Sequence, residues 1–434
     1  MCMKKLIIAL VILLQGVVVA QEISHIKVGE VAVPVVFEKD TTLPIASVQI
    51  VVQNAGSMED KEHEGIAKFL AAMLGEGTKE MGATAFAEEL EFRAISLDAH
   101  AGVETLVFEV SSLKEQFPYA LEMLGKLVKS PNFSKESFEK IKLLTLGMLS
   151  NKESDFDYIA NLNLQKLIFK ETPFAHPYSG EVKSIKALKL KDVEAFYKER
   201  VSLQNLIIVA GGDIELEELK TMLLPVLNEF KHGHIKAMPY FDANKDAKEQ
   251  IVYKESEQAY IYFGAPFYMK SGDSEAYKAK VASFILGESG FGSRLMEEVR
   301  VKRGLAYSSY SRSSIGKSHS SFTGHLQTKN ENLEEAKKIV AQEIKRFVEQ
   351  GATQEELDQA KRFLLGSEPL RNETLSQRLS RAFFEYYNGY EQGHSKQQLE
   401  KIEKLTLPEL NAFIKKHDEI TALSFSVVTK REKH

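Results

Sequence analysis

The chain has 434 residues, of which 44% are hydrophobic and 27% are charged. This composition is typical of a globular protein, and the length exceeds that of one ordinary domain of about 150 residues. The net charge of -5 and the lack of a dense basic run exclude a general nucleic-acid binder.

The N-terminus has the pattern of a secretory signal peptide. Lys4 and Lys5 precede a nearly continuous apolar run, and the small residues ending at Ala20 offer a cleavage site. The run is short for a membrane span of about 20 residues, so an uncleaved anchor is the less favoured alternative. Cleavage after residue 20 would remove Cys2, the single cysteine, and leave neither disulfides nor thiolate metal sites. We therefore expect a periplasmic protein.

The first half, residues 21–230, is predicted to mix strands with helices. β-Branched runs bounded by turn residues predict strands at residues 31–37, 46–52, 95–99, 104–110 and 205–210. Apolar spacing and flanking cap residues predict helices at residues 65–74, 85–92, 117–129, 134–150, 184–200 and 215–230. Two prolines and a glycine predict a loop at residues 173–180.

The second half repeats this order after a polar linker at residues 231–249. Strands are predicted at residues 258–263, 307–313 and 320–327, and helices at residues 274–286, 294–303, 333–350 and 353–366. A period of about 210 residues indicates a duplicated domain rather than a solenoid. The predicted fold class is therefore α+β, with two homologous domains, at residues 21–230 and 250–434. Each is expected to be a mostly antiparallel sheet with helices packed on it.

Four motifs resemble the landmarks of one enzyme family. They are the segment from Gly56-Ser57 to Gly77-Thr78, then 176–180 (His-Pro-Tyr-Ser-Gly), then 206–213, and finally 293–307 with its Arg-Gly-Leu-Ala-Tyr end. In this order and spacing, they make the chain similar to the pitrilysin/insulinase family of zinc peptidases, in its processing-peptidase branch. The resemblance covers essentially the whole mature chain. It implies the LuxS/insulinase-like metallohydrolase fold and a clamshell arrangement.

The predicted helix at residues 65–74 falls where this family carries its inverted zinc motif, His-x-x-Glu-His. By resemblance, the two histidine ligands fall at Lys68 and Ala72, and the general base falls at Ala71. An ammonium group repels zinc, and alanine has no donor atom. The resemblance therefore implies a degenerate zinc motif and no metal in this chain. An alternative for Lys68 is that its ammonium occupies the vacant zinc position and pairs with a nearby carboxylate.

The family's third zinc ligand, a glutamate on a later helix, is equally missing. By resemblance it falls near Leu149, and the nearest carboxylate, Glu153, lies a turn away. The remaining candidate cluster is His63 with Glu59, Glu62 and Glu64. We interpret that cluster as a solvated approach to the helix rather than as a metal site.

The resemblance assigns a second functional pair, Arg300 and Tyr307, to the second domain. In family members this pair faces the zinc across a cavity, binds the substrate backbone and helps to stabilise the tetrahedral intermediate. A guanidinium and a phenol suit a developing oxyanion, at roughly 3 kcal/mol for each well-aimed donor. The alternative is an ordinary surface arginine beside a strand aromatic. The loop at residues 287–293 lacks the lysine of a phosphate loop and is expected to be the flexible loop that the family places at its cavity.

Three hypotheses of function follow. The first is a non-catalytic subunit that pairs with a homologous zinc-bearing peptidase and supplies Arg300 and Tyr307 to peptide hydrolysis, with the zinc in the partner. The second is an inactive structural or peptide-binding protein of the cell envelope, since the resemblance extends to family members that are scaffold subunits of membrane complexes. By resemblance, the strand at residues 95–99 matches the edge on which these peptidases lay an extended substrate, and a plain hairpin strand is the alternative. The third is a stand-alone metallopeptidase with unusual ligands.

Overall fold

Two β-sheets organise the molecule, one in each half of the chain. The structure, a computed structural model, describes residues 21–431, so the predicted signal peptide at residues 1–20 lies outside the described part. The expected α+β class, with two similar sheet-and-helix domains, is confirmed. No helix within residues 21–431 combines the length and the apolar character needed to cross a bilayer.

The first sheet has six strands. They are β1 (Glu22–Val28), β2 (Val31–Lys39), β3 (Ile45–Gln53), β4 (Ser96–Ala101), β5 (Thr105–Leu113) and β6 (Leu206–Gly212). Their order is β1-β2-β6-β3-β5-β4, and all neighbours are antiparallel except β2 and β6. Because β4 pairs with β5 alone, its other side is a free edge. This agrees with the edge strand expected here.

The second sheet has five strands. They are β7 (Glu249–Tyr253), β8 (Gln258–Pro266), β9 (Ala306–Ile315), β10 (Ser320–Lys329) and β11 (Ser424–Thr429). Their order is β7-β11-β8-β10-β9, and only β7 and β11 are parallel. β7 and β9 are the two edge strands, and β9 holds the position that β4 holds in the first sheet.

Eight helices of the first half follow the predictions with two differences. They are α1 (Ile66–Leu74), α2 (Gly82–Phe92), α3 (Phe117–Lys129), α4 (Lys135–Lys152), α5 (Phe156–Ile168), α6 (Val182–Ala187), α7 (Leu190–Arg200) and α8 (Leu216–Leu227). The single helix predicted at residues 184–200 is two helices, because Leu188 and Lys189 adopt extended backbone angles. Helix α5 was not predicted.

The second half contains two short helices that widen into π-helical turns. Its helices are α9 (Ala276–Ser283), α10 (Arg294–Met296), α11 (Leu333–Gln350), α12 (Gln354–Gly366), α13 (Leu375–Tyr387), α14 (His394–Lys404) and α15 (Leu407–Lys416). The π-helical turns, Phe284–Glu288 and Glu297–Val301, directly continue α9 and α10. Such turns are rare and recur at functional sites.

One helix of each half packs on the sheet of the other half. Helix α5 lies against β8 and β11, and its Leu164 and Ile168 are buried there. Helix α13 lies against β2 and β6, where Leu379 and Ala382 are buried among β-branched residues of the first sheet. Each sheet therefore depends on the opposite half for the cover of one apolar face.

Carboxylates of the first half, Glu104 and Asp157 among them, also bind the second half. Glu104 accepts a hydrogen bond from the Tyr387 phenol at 2.8 Å, and Asp157 accepts one from the Gln327 amide at 2.6 Å. Burial, together with the charge of Glu104, raises the pKa of Tyr387 well above its usual value, so that phenol stays protonated and donates. These bonds fix the position of one half relative to the other.

Because one helix of each half covers the sheet of the other half, we expect the two halves to unfold together. Leu379→Ala removes a buried contact between α13 and the first sheet and should lower the free energy of unfolding by about 2–5 kcal/mol. Leu370→Ala, at a leucine that is 66% exposed, is the control and should change it by less than about 0.5 kcal/mol. Calorimetry should show one transition, shifted as a whole. A separate transition that Leu379→Ala leaves in place would contradict the prediction.

Candidate functional site

Helix α1, which carries the degenerate motif, is anchored without a metal. Its apolar face, including Phe69 and Leu70, is buried in the core of the first domain. Asp60 holds its first turn, because its carboxylate accepts hydrogen bonds from the N–H groups of Gly65, at 2.7 Å, and Ala67, at 3.0 Å. The helix is thus kept in place by packing and by this carboxylate.

A close approach of two glycines positions the loop at residues 176–180 over the start of α1. Gly65 and Gly180 both have positive φ angles, of 90° and 70°. A Cβ atom on Gly65 would lie 2.7 Å from the nitrogen of Gly180, and one on Gly180 would lie 2.4 Å from the carbonyl oxygen of Glu64. Only glycine fits at both positions. The contact carries Tyr178 to the outer face of α1.

Lys68 is bound by a phenol rather than by a carboxylate. Its Nζ donates a hydrogen bond to Tyr178 Oη at 3.1 Å and lies 4.2 Å from the centre of that ring. The Lys68 hydrogen bond lowers the pKa of the Tyr178 phenol, with a smaller contribution from the charge of Lys152. The carboxylate partner considered for Lys68 is therefore wrong, since no carboxylate oxygen of residues 21–431 lies within 4.0 Å of its Nζ.

A cavity of about 490 Å³ lies beside Lys68, between α1, β4 and α4. Ala71 and Ala72 form part of its wall, and Leu144 and Met148 of α4 form the opposite part. The third ligand was expected near Leu149, but that side chain points into the core, and its neighbour Met148 lines the cavity instead. Every described position where a zinc ligand would be needed is therefore apolar or cationic.

The alternative cluster around His63 is not assembled. His63 lies 3.9 Å from Glu62, while Glu59 is buried in an ion pair with Arg200 at 2.8 Å. Glu64 pairs with a histidine of the 176–180 loop. Within residues 21–431, no three His, Cys, Asp or Glu side chains converge on a point where a metal could bind. The residues present do not fit a zinc ion.

Arg300 and Tyr307 do come together, in the second half of the chain. The guanidinium carbon of Arg300 lies 4.4 Å from the centre of the Tyr307 ring and 4.6 Å from that of Phe291. Arg300 lies in a π-helical turn, and Tyr307 lies on the edge strand β9, opposite an irregularity in the pairing with β10. π-Helical turns and strand irregularities of this kind recur next to functional sites. Phe291, on the loop at residues 287–293, was not predicted, although the loop itself was.

Arg300 differs from its basic neighbours in having no acidic partner. Arg294, Lys302 and Arg303 each form an ion pair with a glutamate at 2.6–2.8 Å. Across residues 21–431, no carboxylate oxygen comes within 4.0 Å of the Arg300 guanidinium. Tyr307 is 81% exposed and Phe291 is 68% exposed. Two solvent-exposed aromatic rings therefore flank a half-buried cation that has no acidic partner.

Asp60→Asn is expected to remove a pH dependence of stability. Burial raises the pKa of Asp60 to about 7, against the backbone N–H groups that lower it, whereas an unfolded aspartate has a pKa of about 3.9. Between about pH 3.9 and about pH 7, Asp60 is protonated in the folded chain but ionised in the unfolded chain. The free energy of unfolding therefore falls as the pH rises through this range, by up to about 4 kcal/mol. Denaturant titrations at about pH 5 and about pH 8 should show wild type losing stability relative to the variant. Parallel profiles would contradict this.

Zinc should not stabilise the protein. A metal that binds the folded chain, supplied at about 100 times its Kd, raises the free energy of unfolding by about 2.7 kcal/mol. Since no set of ligands is assembled in the described residues, we expect no shift of Tm with Zn²⁺ and no stoichiometric zinc by atomic absorption. A Tm increase that EDTA reverses would instead support a stand-alone metallopeptidase.

Comparisons with known proteins agree with this description. The family model for insulinase (peptidase family M16) matches residues 34–181, and that for the peptidase M16 inactive domain matches residues 187–364. A Helicobacter pylori protein named non-peptidase homolog YmxG is 41% identical over 431 residues, which cover 99% of this chain and 100% of that protein. A Bacillus subtilis protein named uncharacterized zinc protease YmxG is 23% identical over 80% of this chain and 84% of its own length.

Solved structures show the same fold. A peptidase M16 inactive domain from Pseudomonas fluorescens has a TM-score of 0.86 at 24% identity, covering 95% of this chain and 99% of that one. A protease from Helicobacter pylori has a TM-score of 0.81 at 18% identity, covering 94% and 99%. The fold, the order of the motifs and the identity along nearly the whole chain lead to one conclusion: the chain belongs to the M16, or insulinase, family.

Proposed function

We propose that the chain is the non-catalytic subunit of a two-chain M16 peptidase. It would supply Arg300 and Tyr307 to a homologous zinc-bearing partner, which would hold the zinc and its general base. The substitutions at Lys68, Ala71 and Ala72 support the absence of hydrolytic chemistry in this chain. The Helicobacter pylori relative is named a non-peptidase homolog, which agrees with that.

The observation that carries the proposal is the half-buried, unneutralised Arg300 beside the exposed Tyr307. An arginine that only stabilised the fold would be expected to pair with a glutamate, as Arg294 and Arg303 do. Instead its guanidinium stacks near two exposed rings and keeps its donors available. A planar guanidinium and a phenol can donate hydrogen bonds to a peptide carbonyl and to the oxyanion that forms from it.

Since the zinc and the Arg300–Tyr307 pair would come from different chains, the peptide substrate would bind between the two chains. The partner's zinc would activate the attacking water, and this chain would bind the substrate backbone and balance the developing negative charge. We further propose that the pair works in the periplasm, on the basis of the N-terminal pattern at residues 1–20. The net charge of -5 offers no basis for a nucleic-acid ligand.

The proposal is tested by mixing this chain with a purified homologue that carries an intact His-x-x-Glu-His motif. Peptide hydrolysis should require both chains. Arg300→Ala should lower kcat of the mixture roughly 100-fold, and Tyr307→Phe roughly 10-fold, because each removes an oxyanion donor. Arg362→Ala, at an exposed arginine elsewhere in the second half, is the control and should leave kcat unchanged.

Two outcomes would reject the proposal. One is full activity of the zinc-bearing chain by itself. The other is unchanged kcat with both Arg300→Ala and Tyr307→Phe while the two chains still form a complex. Size-exclusion chromatography of each mixture separates a loss of catalysis from a loss of assembly.

A second candidate is an inactive peptide-binding or structural subunit of the cell envelope. The apolar cavity beside the free edge of β4 favours it, because an edge strand can bind an extended chain through main-chain hydrogen bonds without cleaving it. Co-purification with a large envelope complex, without a zinc-bearing homologue, would support this alternative.

A further inference from the structure

The cavity beside α1 combines three features that together describe a ligand. It has an open strand edge, a cation with no acidic partner, and an apolar wall. The edge is β4, whose side away from β5 is unpaired. The cation is Lys68, and the apolar wall includes Leu144 and Met148, which are 59% and 36% exposed. This site lies in the half of the chain that does not contain Arg300.

The charge around the cavity is positive. Lys68 lies 4.2 Å and Lys152 lies 5.8 Å from the centre of the Tyr178 ring. The acidic residues of the adjoining loop are already engaged, since Glu64 pairs with a histidine at 2.8 Å and Glu181 pairs with a lysine at 2.8 Å. An anionic group that enters the cavity would therefore meet unneutralised ammonium charge.

A buried hydroxyl belongs to the same wall. Ser179 is 2% exposed, and its Oγ lies beside the Tyr158 phenol. Ser179 follows Tyr178 directly, so both hydroxyls belong to the wall that Lys68 faces.

We propose that this cavity binds the C-terminal residue of an extended peptide. The peptide main chain pairs with the free edge of β4, its terminal carboxylate binds Lys68 and Tyr178, and its last side chain packs against Leu144 and Met148. A terminal residue carries its carboxylate and its side chain on one Cα, so it can satisfy the cation and the apolar wall together. An acidic side chain within a peptide would satisfy the cation alone.

The proposal goes beyond the role of Arg300 and Tyr307 and does not require a zinc-bearing partner. It assigns a function to the positions where the zinc motif has changed. Lysine at position 68 attracts a carboxylate where histidine would have bound a metal. Alanine at positions 71 and 72 leaves the space that the ligand occupies.

The test uses the full chain and three fluorescently labelled hexapeptides in an anisotropy titration. The first ends in leucine with a free carboxylate, the second is its C-terminal amide, and the third is that amide with an internal glutamate. The free acid should bind at least about tenfold more tightly than either amide, the difference expected for one charge-assisted contact. Equal binding of acid and amide, preference for the glutamate peptide, or no binding of any peptide would overturn the proposal.

Variants assign the preference to the cavity. Lys68→Met should reduce the advantage of the free acid to less than about twofold, and Tyr178→Phe should reduce it in part. Lys183→Met, at an exposed lysine outside the cavity, should keep the full advantage. Because Lys68 is only half-buried, its variant is expected to fold, and an unchanged Tm will verify this. A folded Lys68→Met protein that still prefers the free acid would contradict the proposal.

Discussion

The packing of α5 on the second sheet and of α13 on the first sheet is the constraint on which the rest of the structure depends. Each helix buries its apolar side on the sheet of the opposite half, as Leu164 and Leu379 do, and the carboxylates of Glu104 and Asp157 add polar bonds between the halves. Because neither sheet is covered by its own half alone, the relative position of the two halves is set by core packing. The two candidate sites, one in each half, are therefore held on one rigid support.

That support explains how the zinc motif could change while the helix that carried it stayed in place. In α1, the core face contributes the stability, and Asp60 satisfies the N–H groups of the first turn. The outward positions, Lys68 and Ala72, contribute little to the fold. Substitutions there alter the chemistry and the free space of the cavity and leave the surrounding helices and strands in place, so the same scaffold can present a cation and an apolar wall instead of a metal.

Local sequence patterns predicted the elements with strong periodicity, including α1, α3 and α11, and the hairpin of β4 and β5. They did not predict β7 and β11, which are short and pair with segments distant in the chain. They also did not predict β1, although it pairs with its neighbour β2 across a tight turn. Lys68 and Tyr178 meet across 110 positions because two glycines allow the loop to approach α1, and no local pattern encodes that contact. Family resemblance indicated Arg300 and Tyr307, but the stacking of Phe291 on Arg300 depends on the fold of a loop.

The position of β11 has a consequence for biosynthesis. This strand comes from residues 424–429, yet it lies inside the second sheet, between β7 and β8. Until it has been made, β8 presents an apolar edge and β7 has no partner in the sheet. A chain that stops short of these residues would keep that edge open to other chains. A truncated chain that lacks β11 is therefore expected to aggregate and to be degraded by proteases, whereas the chain that includes β11 closes this part of the sheet.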